Sequence, residues 1–159
     1  MNYKIESHDI RYFLGIEKEG GITLGTEENL DTFWRVFLDE DIALLNGIKT
    51  PHRIIGLDCY PPDFGEQMRF DYYAMIEVTS SSTQPGFVSK KLPKGDYIVF
   101  DIPNQNIQQE IRKVYQYLDD KNIRVHTGFD YEYFGEDYHS SSREETLKFA
   151  LLLKERIHD

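Results

Sequence analysis

The sequence predicts an α+β fold: duplicated strand–helix–strand–strand halves sharing one antiparallel sheet, with two main helices on one face and a ligand groove on the other. Three observations lead there. Short stretches alternate apolar and polar residues, the period of a half-buried strand. Two longer stretches place apolar residues three and four apart, the period of an amphipathic helix. The order of these signals ahead of a polar connector at 79–86 then recurs behind it. Neither half is large enough to bury a core alone, so 1–159 reads as one domain of two pseudo-repeats, about 1–80 and 86–159.

In the first half, Tyr3, Ile5, Tyr12, Leu14 and Ile16 sit in alternating stretches interrupted around 7–9. They predict one long, bent strand over 3–18, ended by Gly20 and Gly21. Thr26 reads as a helix N-cap, with Glu27 and Glu28 well placed in the first turn. Leu30, Phe33, Trp34, Phe37 and Leu38 give that helix a wide aromatic face, and Asn46-Gly47 stops it. Strands follow at 53–60 and 68–79, separated by a turn that carries Pro61, Pro62 and Gly65.

In the second half, strands at 87–92 and 96–102 flank a turn at 93–95. A helix over 104–120 sets Ile107, Ile111, Val114, Tyr115 and Leu118 on one stripe. A strand at 128–134, a polar loop at 135–144 and a last strand at 146–154 complete the order. A short echo, Gly56-Leu57-Asp58-Cys59-Tyr60 against Gly128-Phe129-Asp130-Tyr131, follows each helix. The repeat rests on element order more than on identity.

Composition narrows the function. Against 28 acidic side chains stand 18 basic ones, and the net charge of −10 opposes direct nucleic-acid binding, which requires phosphates to be neutralised. No apolar stretch reaches the roughly 18–20 residues that span a bilayer. The single cysteine, Cys59, excludes an internal disulfide and points to a reducing, cytoplasmic compartment. Within the apolar run at 54–60 it reads as a small buried thiol. The five histidines lack zinc-site spacing, and neither a phosphate-cradling glycine loop nor a nucleophile elbow is present. No metal and no cofactor is therefore expected.

The strand at 129–134 carries the most chemistry. With period two, Phe129, Tyr131 and Tyr133 share one face, and Asp130, Glu132 and Phe134 share the other. If the aromatic trio packs on the helices, Glu132 points into the groove; if the polar face meets water, Glu132 is simply solvated. A carboxylate among rings is costly to desolvate and has a raised pKa until a positive partner arrives. Ring faces add their own attraction for a cation, about 0.5–2 kcal/mol each. Asp130 lies about 6.5–7 Å from Glu132 along the same strand face and reads as solvated. In the strand at 69–78, Tyr72 and Tyr73 fall on opposite faces, and alternation alone leaves open which one meets the groove. Trp34 sits on the apolar helix stripe, where core packing competes with ligand contact.

Three segments in this order and spacing resemble the GyrI-like small-molecule-binding family: Arg69-Phe70-Asp71-Tyr72, Gly95-Asp96-Tyr97-Ile98-Val99-Phe100 and Tyr131-Glu132-Tyr133-Phe134. That family includes stand-alone proteins and the effector-binding domains of some AraC- and MerR-type transcription regulators. The resemblance implies the duplicated fold, and it implies that Glu132 is the pocket carboxylate, with Tyr72 and Trp34 among the aromatic residues that line the pocket. Tyr73, Tyr60 and Phe134 complete the candidate ligand-binding set. One departure is the last strand, where Phe149-Ala150-Leu151-Leu152-Leu153-Lys154 lacks the proline often found there.

Three functions compete. The first is a sensor or sequestering protein that binds a small hydrophobic or cationic molecule, with no DNA-reading segment of its own in these residues. The second is a hydrolase of electrophilic small molecules, with Glu132 as general base and Tyr72 as proton donor. The third is an acidic inhibitor of a protein partner, of the gyrase-inhibitor kind.

Overall fold

The computed structural model describes residues 1–26, 28–133 and 146–157. The strands are β1 (Tyr3–His8), β2 (Arg11–Glu17), β3 (Ile22–Thr23), β4 (Ile54–Cys59), β5 (Arg69–Val78), β6 (Val88–Leu92), β7 (Gly95–Pro103), β8 (Phe129–Tyr133) and β9 (Thr146–Leu152). The α-helices are α1 (Asp31–Val36), α2 (Phe64–Gln67) and α3 (Ile107–Asp120), and α1 runs on through a π turn at Phe37–Asp41 and a 3₁₀ turn at Ile42–Leu44. The expected α+β class holds. All strands join one antiparallel sheet of nine strands in the order β1-β7-β9-β8-β4-β5-β2-β6, with β3 added beside β5. Exchanging β1 with β6, β2 with β7, β4 with β8 and β5 with β9 turns this order into its own reverse.

The expected strand at 3–18 is two strands at opposite ends of the sheet: β1 pairs with β7, and β2 pairs with β5 and β6. The break at Asp9 and Ile10 lets the chain cross from one edge to the other. The first helix begins at Asp31, later than Thr26, and Asn29 Oδ1 accepts its first N–H at 2.9 Å. Thr26 is held elsewhere, as described below. The polar loop expected at 135–144 lies outside the described residues, as does Phe134.

Alternation sorts the core into two faces. On one, α1 and its following turns cover Leu14, Ala74, Ile76 and Val78, while α3 covers Ile98, Phe100, Phe149 and Leu151. Each helix therefore roofs one outer part of the sheet, and the central strands β4 and β8 lie between them. On the other face, Phe13, Leu57, Met75, Tyr97, Tyr131 and Leu152 pack together without a helix. That face is nevertheless buried, because the sheet curls. Arg11 on β2 reaches Tyr97 on β7, with its guanidinium 5.0 Å from the ring centre, although the two strands are far apart in sheet order. Among the described residues no helix is long and apolar enough to cross a membrane.

Candidate functional site

The aromatic trio of β8 turns away from the helices. Tyr131 accepts a 2.9 Å hydrogen bond from buried Arg11, and Tyr133 donates to Glu6 at 2.5 Å while Arg53 covers its ring at 4.4 Å. Glu132 and Asp130 consequently face the helix side, in the gap between α1 and α3. There a cavity of about 670 Å³ opens over β4 and β8. The groove thus lies on the helix-bearing face and not on the opposite one, which the curled sheet fills with its own side chains. Its size falls within the roughly 300–1,000 Å³ usual for small-molecule sites.

The floor is set by register. Gly56 of β4 stands opposite Glu132, and Asp58 stands opposite Asp130 on one side and Tyr72 on the other. Gly56 is glycine for a reason of space: a Cβ there would come within 2.6 Å of the Tyr72 hydroxyl and 2.8 Å of Glu132 Oε1. Into that space Tyr72 donates to Glu132 at 2.8 Å, and Trp34 of α1 donates its indole N–H to the same hydroxyl at 3.1 Å. Beside them, Tyr60 and Tyr115 both donate to Asp130 Oδ2, at 2.7 and 2.6 Å. Among the described residues no N–H or tyrosine hydroxyl donates to the buried Asp130 Oδ1. Asp58 lies within hydrogen-bond reach of Asp130, so a proton on one can be shared with the other.

Burial governs the charges. Desolvation pushes Glu132 up to about 7, against the pull of the Tyr72 hydrogen bond and with help from the Asp130 charge. Desolvation also raises Asp58 well above the carboxylate range, and the adjacent Asp130 adds to it. Two tyrosine donors favour the charge on Asp130, so Asp58 is the partner that keeps the shared proton. Among the described residues no Lys or Arg lines the cavity, and none pairs with Glu132. Glu28 at the rim is already paired with Lys18 at 3.3 Å. The remaining walls mix apolar Ile22, Leu30, Phe70, Ile107 and Ile111 with amide side chains from the entry to α3. Gln108 there accepts from Gly25 N–H at 2.9 Å and donates to the Thr26 carbonyl at 3.4 Å, closing one side of the cavity and taking Thr26 away from a capping position.

The candidate residues divide accordingly. Glu132 and Tyr72 line the cavity and touch each other. Trp34 and Tyr60 stand behind it, the first against Tyr72 and the second against Asp130, Phe64 and Phe70. Tyr73 points to the other face beneath Lys90, 4.5 Å from its ring centre, because alternation sends it opposite to Tyr72. Asp130 is fully buried, not solvated, since β8 is covered on both faces. Among the described residues the lining includes two aromatic residues, Phe70 and Tyr72. Sequence reasoning missed Asp58 and the amide wall; the Asp58–Asp130 echo between the two halves was the available signal. Among the described residues no group of three His, Cys, Asp or Glu side chains is placed to hold a metal.

Comparison with known proteins places this geometry in context. Comparison with curated sequences gives no significant match. Among solved structures, SAV2435 bound to tetraphenylphosphonium aligns over 97% of this chain and 94% of its own, with a TM-score of 0.73 and 17% identity. The C-terminal domain of EcmrR aligns over 98% of both chains, with a TM-score of 0.68 and 9% identity. An integron cassette protein of Vibrio cholerae aligns over 96% of this chain and 95% of its own, with a TM-score of 0.56 and 17% identity. At such identities the likeness is one of fold. The sequence profile described as integron-associated effector binding protein matches residues 4–152. The chain thus belongs to the family of integron-associated effector-binding proteins and has the GyrI-like effector-binding fold.

Proposed function

We propose that this protein binds small lipophilic cations in the cavity between α1 and α3 and serves as a sensor or sequestering protein for them. The observation that carries the reading is Glu132: a carboxyl on the floor of a 670 Å³ cavity, balanced by Tyr72 and by no cation among the described residues. An unpaired carboxylate in such a place favours a ligand that brings the missing charge. The tetraphenylphosphonium bound by SAV2435, a protein of the same fold, supports the same class of ligand. In this reading residues 1–159 act as one effector-binding domain, and the pseudo-repeats meet where β4 pairs with β8 under the ligand.

Trp34, the only tryptophan, touches Tyr72 and so provides a fluorescence signal for occupancy. Titration of Glu132→Gln with lipophilic cations, followed by this signal and by calorimetry, is expected to lose about ten- to a hundredfold in affinity. Neutral analogues of the same shape are expected to bind the variant and the wild type alike. Unchanged cation affinity in Glu132→Gln overturns the reading.

One observation favours a second reading. A carboxyl with a pKa of about 7, hydrogen-bonded to a tyrosine, suits general-base activation of water. Under it, a neutral electrophile incubated with the wild type is consumed, while Glu132→Gln binds the same compound and leaves it intact. Absence of product with the wild type removes this alternative.

A further inference from the structure

The polar half of the cavity contains more than Glu132. Asp58, only 3% exposed, lines the same cavity two residues along β4 from Gly56. Behind it, Asp130 spends Oδ2 on Tyr60 and Tyr115, and among the described residues its remaining donor is the proton it shares with Asp58. Glu132 likewise receives one hydrogen bond from the described residues, at Oε1 from Tyr72. The floor is therefore rich in acceptors and poor in donors. Above it, Gln105, Asn106 and Gln109 offer amide groups, while among the described residues only Phe70 and Tyr72 offer rings.

This balance separates two kinds of cation. A quaternary ammonium or phosphonium has no N–H and is held chiefly by ring faces and diffuse charge. Placed on this floor, it would displace water from the carboxyl oxygens and return no hydrogen bonds, which is costly. A protonated primary or secondary amine returns three or two charge-assisted hydrogen bonds, each roughly twice as strong as a neutral one. We propose that the cavity selects protonated primary or secondary amines over quaternary cations of the same scaffold, with Asp58 as a second acceptor beside Glu132. This rests on the cavity being the cation site. It names the class of cation that the site takes.

The test compares 3,3-diphenylpropylamine with its N,N,N-trimethyl derivative by calorimetry and Trp34 fluorescence. In the wild type the amine is expected to bind at least tenfold tighter. Asp58→Leu keeps the approximate size and removes both acceptor oxygens. That variant is expected to bring the ratio below threefold while the trimethyl compound keeps its affinity. A wild-type ratio of one or less overturns the proposal, as does a tenfold preference that persists in Asp58→Leu. The wild-type ratio decides the matter even if the variant does not fold. If the trimethyl compound binds equally well and depends on Glu132, the preference for N–H falls and the cation site stands. If neither compound binds, both fall.

Discussion

Glu132 leaves water for a place where one tyrosine hydroxyl supports its charge, so ionising it costs more in the folded chain than in the unfolded one. Its pKa rises from 4.5 to about 7, and between those values the native state holds a proton that the unfolded state has lost. Stability from this group is fully present below about pH 4.5 and is lost as pH rises through 7. The loss is roughly 3 kcal/mol at most, at about 1.4 kcal/mol per pKa unit. Glu6 acts in the opposite sense. His8, Tyr133 and Lys4 hold its carboxyl below the usual range, so its contribution is present above that range and lost in acid. The unliganded protein is therefore expected to be most stable near about pH 5. Thermal melts from pH 5 to 8 should show falling melting temperatures in the wild type and a clearly flatter profile in Glu132→Gln; parallel profiles would refute the assignment. Gly56 gives a steric counterpart. Gly56→Ala drives a methyl group against Tyr72 and Glu132, and is expected to cost about 1–3 kcal/mol of stability and at least tenfold in cation affinity. Denaturant titration and calorimetry measure the two effects. The sequence echo marks the segment that holds Gly56 and Asp58, but their role comes from register with β5 and β8.

The elements were legible wherever one face is apolar. The stripe of Ile107, Ile111, Val114, Tyr115 and Leu118 does pack α3 onto the sheet, although Tyr115 also reaches across to Asp130. Strand β8 was harder. Period two correctly separated Phe129, Tyr131 and Tyr133 from Asp130 and Glu132, but both faces of this strand are buried, so hydrophobicity could not say which one meets the helices. The deciding partner is Arg11, 120 residues away and caged by Phe13, Tyr97 and Tyr131. The start of α1 was misread for a similar reason. Thr26 has the chemistry of an N-cap, yet Gln108 of α3 captures its carbonyl across 82 residues. That clasp joins both sides of the cavity, and its two hydrogen bonds are each worth about 0.5–1.5 kcal/mol net. Gln108→Ala is expected to leave the fold intact and to speed ligand release several-fold, as measured by stopped-flow quenching of Trp34. An unchanged dissociation rate would mean that the clasp does not limit exit.

Charge is the property that sequence and structure express on the same scale. The excess of acidic side chains, 28 against 18, was plain from composition, but composition could not say whether the surplus had a focus. The fold provides one, since among the described residues the cavity has carboxyls and no Lys or Arg in its walls. Low-dielectric walls concentrate the field of such a cleft and draw cations in, an effect that acts on encounter and is screened over about 10 Å at 0.1 M salt. In the proposed binding mode a seated cation lies within hydrogen-bond range of buried groups, where mobile ions screen far less. The two stages should therefore respond differently to ionic strength. Raising sodium chloride from about 10 mM to about 500 mM is expected to lower the association rate of a lipophilic cation about tenfold while its dissociation rate changes less than about twofold. A neutral analogue should show neither change. Stopped-flow fluorescence from Trp34 separates the two rates. A salt effect confined to dissociation would place the working charge at the exposed rim and not on the floor that Glu132 and Asp58 form.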